Sequence, residues 1–294
     1  MRNQLFFVTA CAACLTAPMA AQRGRRSDTT RTSTRNGEGI RTAETFRPAL
    51  RSGQHLAVSN IDGNVSVTQG AGAAAEIVAT KVVRRGNGDL IRAVLEQTSD
   101  GYRICTVYLS RAGDSRACND HSRNNNDHAD WGSGLDAAIN YEIRLPAGVA
   151  LTVNTVDGSV EARGIDTPAT IRSVDGSITF DGVAPENLTT VDGAITARIT
   201  NSDWAHKLAI RTVDGGVELT LPAALNAHVN GHTVDGSVDS DFPVTVVGKW
   251  GPHSISGDIG TGQGAALDIS TVDGSIRLRS SDGSRRNGRQ DRRP

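Results

Sequence analysis

The chain has 294 residues, 31 Lys and Arg against 32 Asp and Glu, and a formal net charge of −1. That length holds one large or two ordinary domains, and the near-balanced charge supplies no global field to draw in nucleic acid. No segment approaches the roughly 18 apolar residues of a spanning helix, and at 4% aromatic content the chain cannot build the two girdles of an outer-membrane barrel.

The N-terminus, MRNQLFFVTACAACLTAPMAAQ, carries Arg2, an apolar run over 5–17, and small residues at Ala20 and Ala21. This is the layout of a secretory signal peptide, expected over 1–21. The −3 position falls on Pro18 or Met19, so the cut is not fixed. Val8-Thr9-Ala10-Cys11 resembles a lipoprotein cleavage box, but only four apolar residues precede Cys11, which weighs against lipidation. Cys11 and Cys14 leave with the signal. The exported chain then keeps Cys105 and Cys118, which flank a polar stretch and are expected to pair. Closing that loop contributes roughly 3 kcal/mol by the chain-entropy estimate.

Residues 22–44 read as a disordered basic linker: 22–42 hold six Arg against Asp28 and Glu38. Residues 281–294, with five Arg against Asp282 and Asp291, read as a disordered basic tail. Contact with anionic lipid, polysaccharide or nucleic acid is the functional reading of these ends. Solvated tails in a chain that prefers Arg to Lys is the simpler one.

Between the tails, 45–280 read as one elongated β-domain. Residues 76–83 and 102–109 have strand patterning, 89–97 fit a strand or a short helix, and 110–138 are a polar loop. Residues 140–145, a turn at Pro146-Ala147-Gly148 and a strand from Val149 then lead into a repeat. TVDGSV at 155–160 recurs as SVDGSI (173–178), TVDGAI (190–195), TVDGGV (212–217), TVDGSV (233–238) and TVDGSI (271–276). NIDGNV at 60–65 is an earlier cousin and SISGDI at 254–259 a degenerate one. The marks Gly158, Gly176, Gly193, Gly215, Gly236, Gly257 and Gly274 are spaced by 18, 17, 22, 21, 21 and 17 residues. Apolar residues alternate on both sides of each mark, as in Leu151, Val153, Val160 and Ala162, which means strands. Gly63 marks the first unit in the same way. Pro222, Pro243 and Pro252 fall between motifs, where loops belong.

Two architectures fit: an antiparallel meander in which each Asp-Gly is a hairpin turn, or a β-solenoid in which it is a corner between parallel strands. In the hairpin, Val156 and its equivalents would point away from the apolar face. In the solenoid the corner absorbs the odd step, and every such valine is expected inside. Like residues also stack well in parallel coils. The solenoid, with repeats of about 17–22 residues, is the preferred reading. Val213→Asp is then expected to destabilise sharply and Thr212→Asp to do little.

The run LPAGVALTVNTVDGSVEARG, followed by further TVDGSV units, resembles the bacterial putative-adhesin family, exported β-strand-repeat proteins of unknown function. The resemblance covers about 45–280. It implies a right-handed β-helix-like fold and a role in adhesion or envelope stress, and it brings no catalytic residues to carry over.

The candidate constellation is the row Asp62, Asp157, Asp175, Asp192, Asp214, Asp235 and Asp273. In stacked coils these lie about 4.8 Å apart, where like charges cost about 0.9 kcal/mol per pair in water. A bridging calcium ion would relieve this. Asx-type bonds from each bend's own backbone N–H groups would instead make the row structural. With one carboxylate per unit and none of the further acidic ligands of calcium repeats, the structural role is preferred. The polar loop adds Asp120, His121, Asp127, His128, Asp130 and Asp136 in no known metal-ligand order. His228 and His232 are four apart, a ligand spacing on a helix but not on a strand; His206 and His253 stand alone.

No Gly-x-Ser-x-Gly, no Cys-His arrangement in the exported chain and no phosphate-binding glycine loop is present. Trp131, Trp204 and Trp250 suit either sugar stacking or satellite core. The sequence therefore reads as a non-catalytic exported protein of the cell envelope, an adhesion, binding or structural module without cofactor or metal. Its expected ligand is an envelope polysaccharide or a protein, met by loops 110–138, 198–208 and 222–232. The alternatives are a carbohydrate-active β-helix enzyme, which needs paired carboxylates across a cleft, and a calcium-dependent envelope protein.

Overall fold

A computed structural model describes residues 28–30, 39–70, 72, 74–109, 118, 134–183, 185–204, 206–248, 252–262 and 264–282. Among them the chain is all-β apart from one 3-10 turn at Gly88–Leu90. Two eleven-stranded sheets face each other. Each central coil places its strand before the TVDG corner in one sheet and its strand after the corner in the other. Successive coils pair in parallel: Val160–Ile165 lies beside Ile178–Gly182, then Ile195–Ile199, then Val217–Leu221. On the opposite sheet Ala150–Asn154, Ala169–Arg172, Asn187–Thr189 and Leu208–Arg211 stack the same way. The fold is thus a β-solenoid, and the hairpin meander is excluded.

The in-register stacking aligns like residues in the core. Val160, Ile178, Ile195, Val217 and Ile276 form one buried row. In the next row Phe180 lies between Ala162 and Ala197, whose small side chains leave room for its ring. Burying each such large side chain is worth roughly 1.5–3 kcal/mol.

The architecture agrees with the sequence reading, but the facing of the corner valine does not. Leu151, Val153 and Thr155 continue the inward alternation to the end of the strand, and all three are buried. Val156, Val174, Val191, Val213, Val234 and Val272 are instead 38–41% exposed. The odd step is made over the four corner residues Val-Asp-Gly-Ser, after which Val160 and its equivalents re-enter. The inward position falls to the hydroxyl residue, and in the units of Ser173, Thr190, Thr212, Thr233 and Thr271 its hydroxyl has a partner there, described below.

The coils are not stacked wholly in chain order. The last coil, Ala265–Asp273 and Ile276–Ser280, lies between the coil of Leu208–Arg211 and Val217–Leu221 and the coil of Ala227–Asp235 and Val238–Ser240. The degenerate SISGDI is not a corner. It lies within His253–Ile259, a strand antiparallel to Ala227–Asp235 with Gly257 opposite Val229, and it carries Ser256 where the corners carry aspartate.

At the other end the core is closed by antiparallel strands. Ile40–Phe46 pairs with Glu76–Arg85, which pairs with Asp136–Pro146; Ile91–Gln97 pairs with Gly101–Tyr108. Residues 40–44, expected in a disordered linker, are therefore sheet. Their polar composition suits a strand with no fully buried residue, in which Phe46 is partly buried against the core. Asp28–Thr30, also within the expected linker, pairs with that strand. The polar loop ends at 135, since Asp136 opens a strand. The segments 1–27, 31–38, 110–117, 119–133 and 283–294, with the expected signal peptide and most of the loop and tails, lie outside the described residues.

Candidate binding surfaces

The threonine, aspartate and glycine of the repeated hexapeptide have distinct tasks at the corner. Thr190 Oγ1 donates to the carbonyl oxygen of Gly176 at 2.9 Å, Thr212 to that of Gly193 at 3.0 Å, Thr271 to that of Gly215 at 2.9 Å and Thr233 to that of Gly274 at 2.8 Å. Ser173 does the same to Gly158 at 3.3 Å. Buried hydroxyls as a rule find a partner, and here they meet the carbonyl of the neighbouring coil; the Thr155 hydroxyl is the exception, buried without one, and the equivalent Gly63 carbonyl accepts from Asn60 instead. Asn60 fills this role in the first unit, its Nδ2 donating to Gly63 O and Ile139 O at 2.8 and 3.0 Å.

The glycines are required by close approach. A Cβ on Gly176 would lie 2.3 Å from Gly158 O, one on Gly193 2.4 Å from Gly176 O, and one on Gly274 2.0 Å from Gly215 O. Gly158, Gly215 and Gly236 meet the glycine carbonyls of neighbouring coils in the same way, at 2.0–2.2 Å, and Gly63 meets Ile139 O at 2.3 Å.

The aspartates form a continuous row in the order 62, 157, 175, 192, 214, 273, 235. Their main chains are the rungs between coils: Gly176 N donates to Asp192 O at 2.8 Å and Asp192 N to Val174 O at 2.8 Å. Among the described residues no backbone amide of the bend donates to the carboxylates of Asp157, Asp175, Asp192, Asp214, Asp235 or Asp273, so the expected Asx-type bonds are not formed. The side chains point to solvent because the main chain already satisfies the turn. Partial burial and the neighbouring carboxyls of Asp62 and Asp175 hold the Asp157 carboxyl above its ordinary value. Asp62 differs: Tyr108 donates its hydroxyl to Asp62 Oδ2 at 2.8 Å, and burial with this carboxylate pushes the phenol well up. Beside it Thr106 Oγ1 donates to Asn60 Oδ1 at 2.6 Å and pairs with the Tyr141 hydroxyl at 2.9 Å, closing a buried polar cluster at this end.

Cys105 and Cys118 form a disulfide, with Cα atoms 5.6 Å apart. It pins 118 against Ile91–Gln97, where Glu96 Oε1 accepts from Cys118 N at 2.8 Å. Asp136 pairs with Arg84 at 3.2 Å. His228 pairs with Asp258 at 2.6 Å. His228 and His232 share one face of a strand, too far apart along it to act together. His206 meets Pro185 O at 3.3 Å, and Trp204 is core. Asp120, His121, Asp127, His128, Asp130, Trp131 and Trp250 lie outside the described residues.

The sequence reading missed an outward groove of about 510 Å³ on the second sheet. It crosses four strands in two polar rows. Arg211, Ser270, His232 and Ser254 are successive neighbours, and Asp268, Asn230 and Ser256 run alongside. Half of it exists because the last coil inserts between its predecessors, bringing Ser270 beside Arg211 and Asp268 beside Ala209, where the Asp268 carboxylate pairs with Lys207. Period-two alternation marks these as outward positions, but the crossover that gathers them leaves no mark in the sequence. The expected loop 222–232 is correspondingly shortened, because Ala227–Asp235 is a strand of this groove.

The model of the Toastrack DUF4097 family matches residues 48–279. Among solved structures, a putative cell adhesion protein from Clostridium sporogenes ATCC 15579 aligns over 81% of this chain and 99% of its own, with TM-score 0.47 and 9% identity. A putative adhesin (BF0245) from Bacteroides fragilis NCTC 9343 aligns over 80% and 96%, with TM-score 0.31 and 10% identity. No curated protein matches the chain.

Proposed function

The chain belongs to the Toastrack DUF4097 family, and on that premise we propose that it is an exported, non-catalytic binding module of the cell envelope whose ligand is an envelope polysaccharide. The observation that carries this reading is the groove lined by Arg211, Asn230, His232, Ser254, Ser256, Asp268 and Ser270. It is shallow and open, and its donors and acceptors are set on strands rather than loops, so they are pre-positioned. Sugar hydroxyls are matched by such a mixture of hydroxyl, amide, carboxylate and guanidinium groups. The open ends of the groove let a long chain pass. The N-terminal signal-like segment supports export.

The test is binding of the purified chain to immobilised envelope polysaccharides, with Arg211→Ala and Asp268→Ala as probes and host fractionation for location. Binding lost in both variants at unchanged melting temperature supports the reading. Equal binding by both variants, or a cytoplasmic chain, contradicts it.

A further inference from the structure

Beyond any polysaccharide, the corner edge of the solenoid carries a second surface. Of the nine large hydrophobic residues exposed among the described residues, six are the corner valines 156, 174, 191, 213, 234 and 272. They form one file. Val191 N donates to Val174 O, Val213 N to Val191 O and Val272 N to Val213 O, each at 3.2 Å, and Val234 lies opposite Val272. A contiguous exposed apolar stripe of this kind marks an interaction site more often than chance exposure does. Directly beside it runs the file of aspartates. None of Asp157, Asp175, Asp192, Asp214, Asp235 and Asp273 is in an ion pair with a described Lys, Arg or His.

Two observations define what fits. First, the backbone at this edge is consumed by the coil-to-coil rungs, so a partner cannot add a strand and must bind through side chains. Second, the file repeats at the strand spacing of about 4.8 Å, close to the 5.4 Å pitch of an α-helix. A helix laid along the edge presents about one residue per turn to each coil. Its apolar stripe meets the valines and an adjacent basic stripe meets the aspartates. We propose that the valine and aspartate files together form a ledge that docks a basic amphipathic helix of a partner protein, about 16 residues long where it spans the six coils at about 4.8 Å each. A second copy of this chain would bring carboxylates against carboxylates and is disfavoured by charge.

The probe is a fluorescent peptide of about twenty Leu and Lys residues in helical order, with the same composition in alternating order as control. Anisotropy is measured with the full exported chain at low and high salt. The helical peptide binds, weakens with salt, and loses roughly tenfold or more in affinity to each of two variants. One is Val174→Ser with Val191→Ser and Val213→Ser; the other is Asp175→Asn with Asp192→Asn and Asp214→Asn. Melting curves verify that both are folded, and Arg211→Ala in the polysaccharide groove leaves the affinity unchanged. Equal binding of the alternating peptide, indifference to either ledge variant, or no binding overturns the proposal. So does a dimer that the valine variant dissolves, which would assign the ledge to a second copy. Loss of polysaccharide binding in Arg211→Ala with the peptide affinity intact separates the two surfaces.

Discussion

Thr190 donates its hydroxyl to the carbonyl oxygen of Gly176, 2.9 Å away in the neighbouring coil, the same carbonyl that a Cβ on Gly193 would meet at 2.4 Å. One backbone oxygen thus explains two letters of the repeated hexapeptide. The threonine is needed inside to satisfy it, and the next glycine is needed so the coils can close on it.

Gly176→Ala therefore costs about 1–3 kcal/mol, as overpacking does. Its Cβ would lie 2.3 Å from Gly158 O, and the neighbour is main chain that cannot rotate away. Chemical denaturation would show the lowered midpoint. An unchanged midpoint would mean that the coils are not in contact at the corner.

Thr212 and Val213 should respond in opposite ways to a charge. Thr212 is 4% exposed and Val213 is 41% exposed. Thr212→Lys buries an unpaired ammonium and costs several kcal/mol, whereas Val213→Lys stays within about 0.5 kcal/mol. This reverses the ranking that the sequence alone suggests.

That reversal shows which part of the fold was legible. Alternation of Leu208, Ile210, Val217 and Leu219 is enough to fix strands and the repeat, and near-identical units fix parallel stacking. Reading hydrophobicity alone, however, sends Val213 inward and Thr212 outward. The corner is decided by hydrogen bonding, since a threonine inside can satisfy a carbonyl that a valine cannot. The groove was less legible still, because Arg211 and Ser270 become neighbours only through a coil inserted out of chain order.

The Cys105–Cys118 bridge closes a separation of 13 residues. Cys118→Ser should lower stability by about 3 kcal/mol or less, and the denatured, unreduced chain from residue 22 onward should label with no thiol reagent. Two reactive thiols per chain would contradict the bridge.

The aspartate file predicts a dependence on pH and salt. The folded Asp157 carboxyl titrates above its ordinary 3.8 through partial burial and then its neighbours Asp62 and Asp175. Its contribution favours the folded state below 3.8 and is lost as pH rises through the raised folded value. Asp175→Asn should therefore raise the midpoint at neutral pH and low salt, by about 1 kcal/mol or less. The gain should shrink at about 1 M salt, where the Debye length is near 3 Å, and disappear in acid. Calcium at millimolar levels should leave the melting temperature where chelator leaves it. A large calcium-specific rise would make the file a cation ladder.

Cross-linking of cysteine pairs tests the parallel coil most directly. Thr179 and Thr196 are register partners on adjacent parallel strands, both exposed. A hairpin turning at Asp192-Gly193 would instead set Thr189 opposite Thr196, residues that the solenoid places in different sheets. A short thiol cross-linker should join Thr179→Cys to Thr196→Cys in high yield and fail to join Thr189→Cys to Thr196→Cys. The opposite pattern would contradict the solenoid.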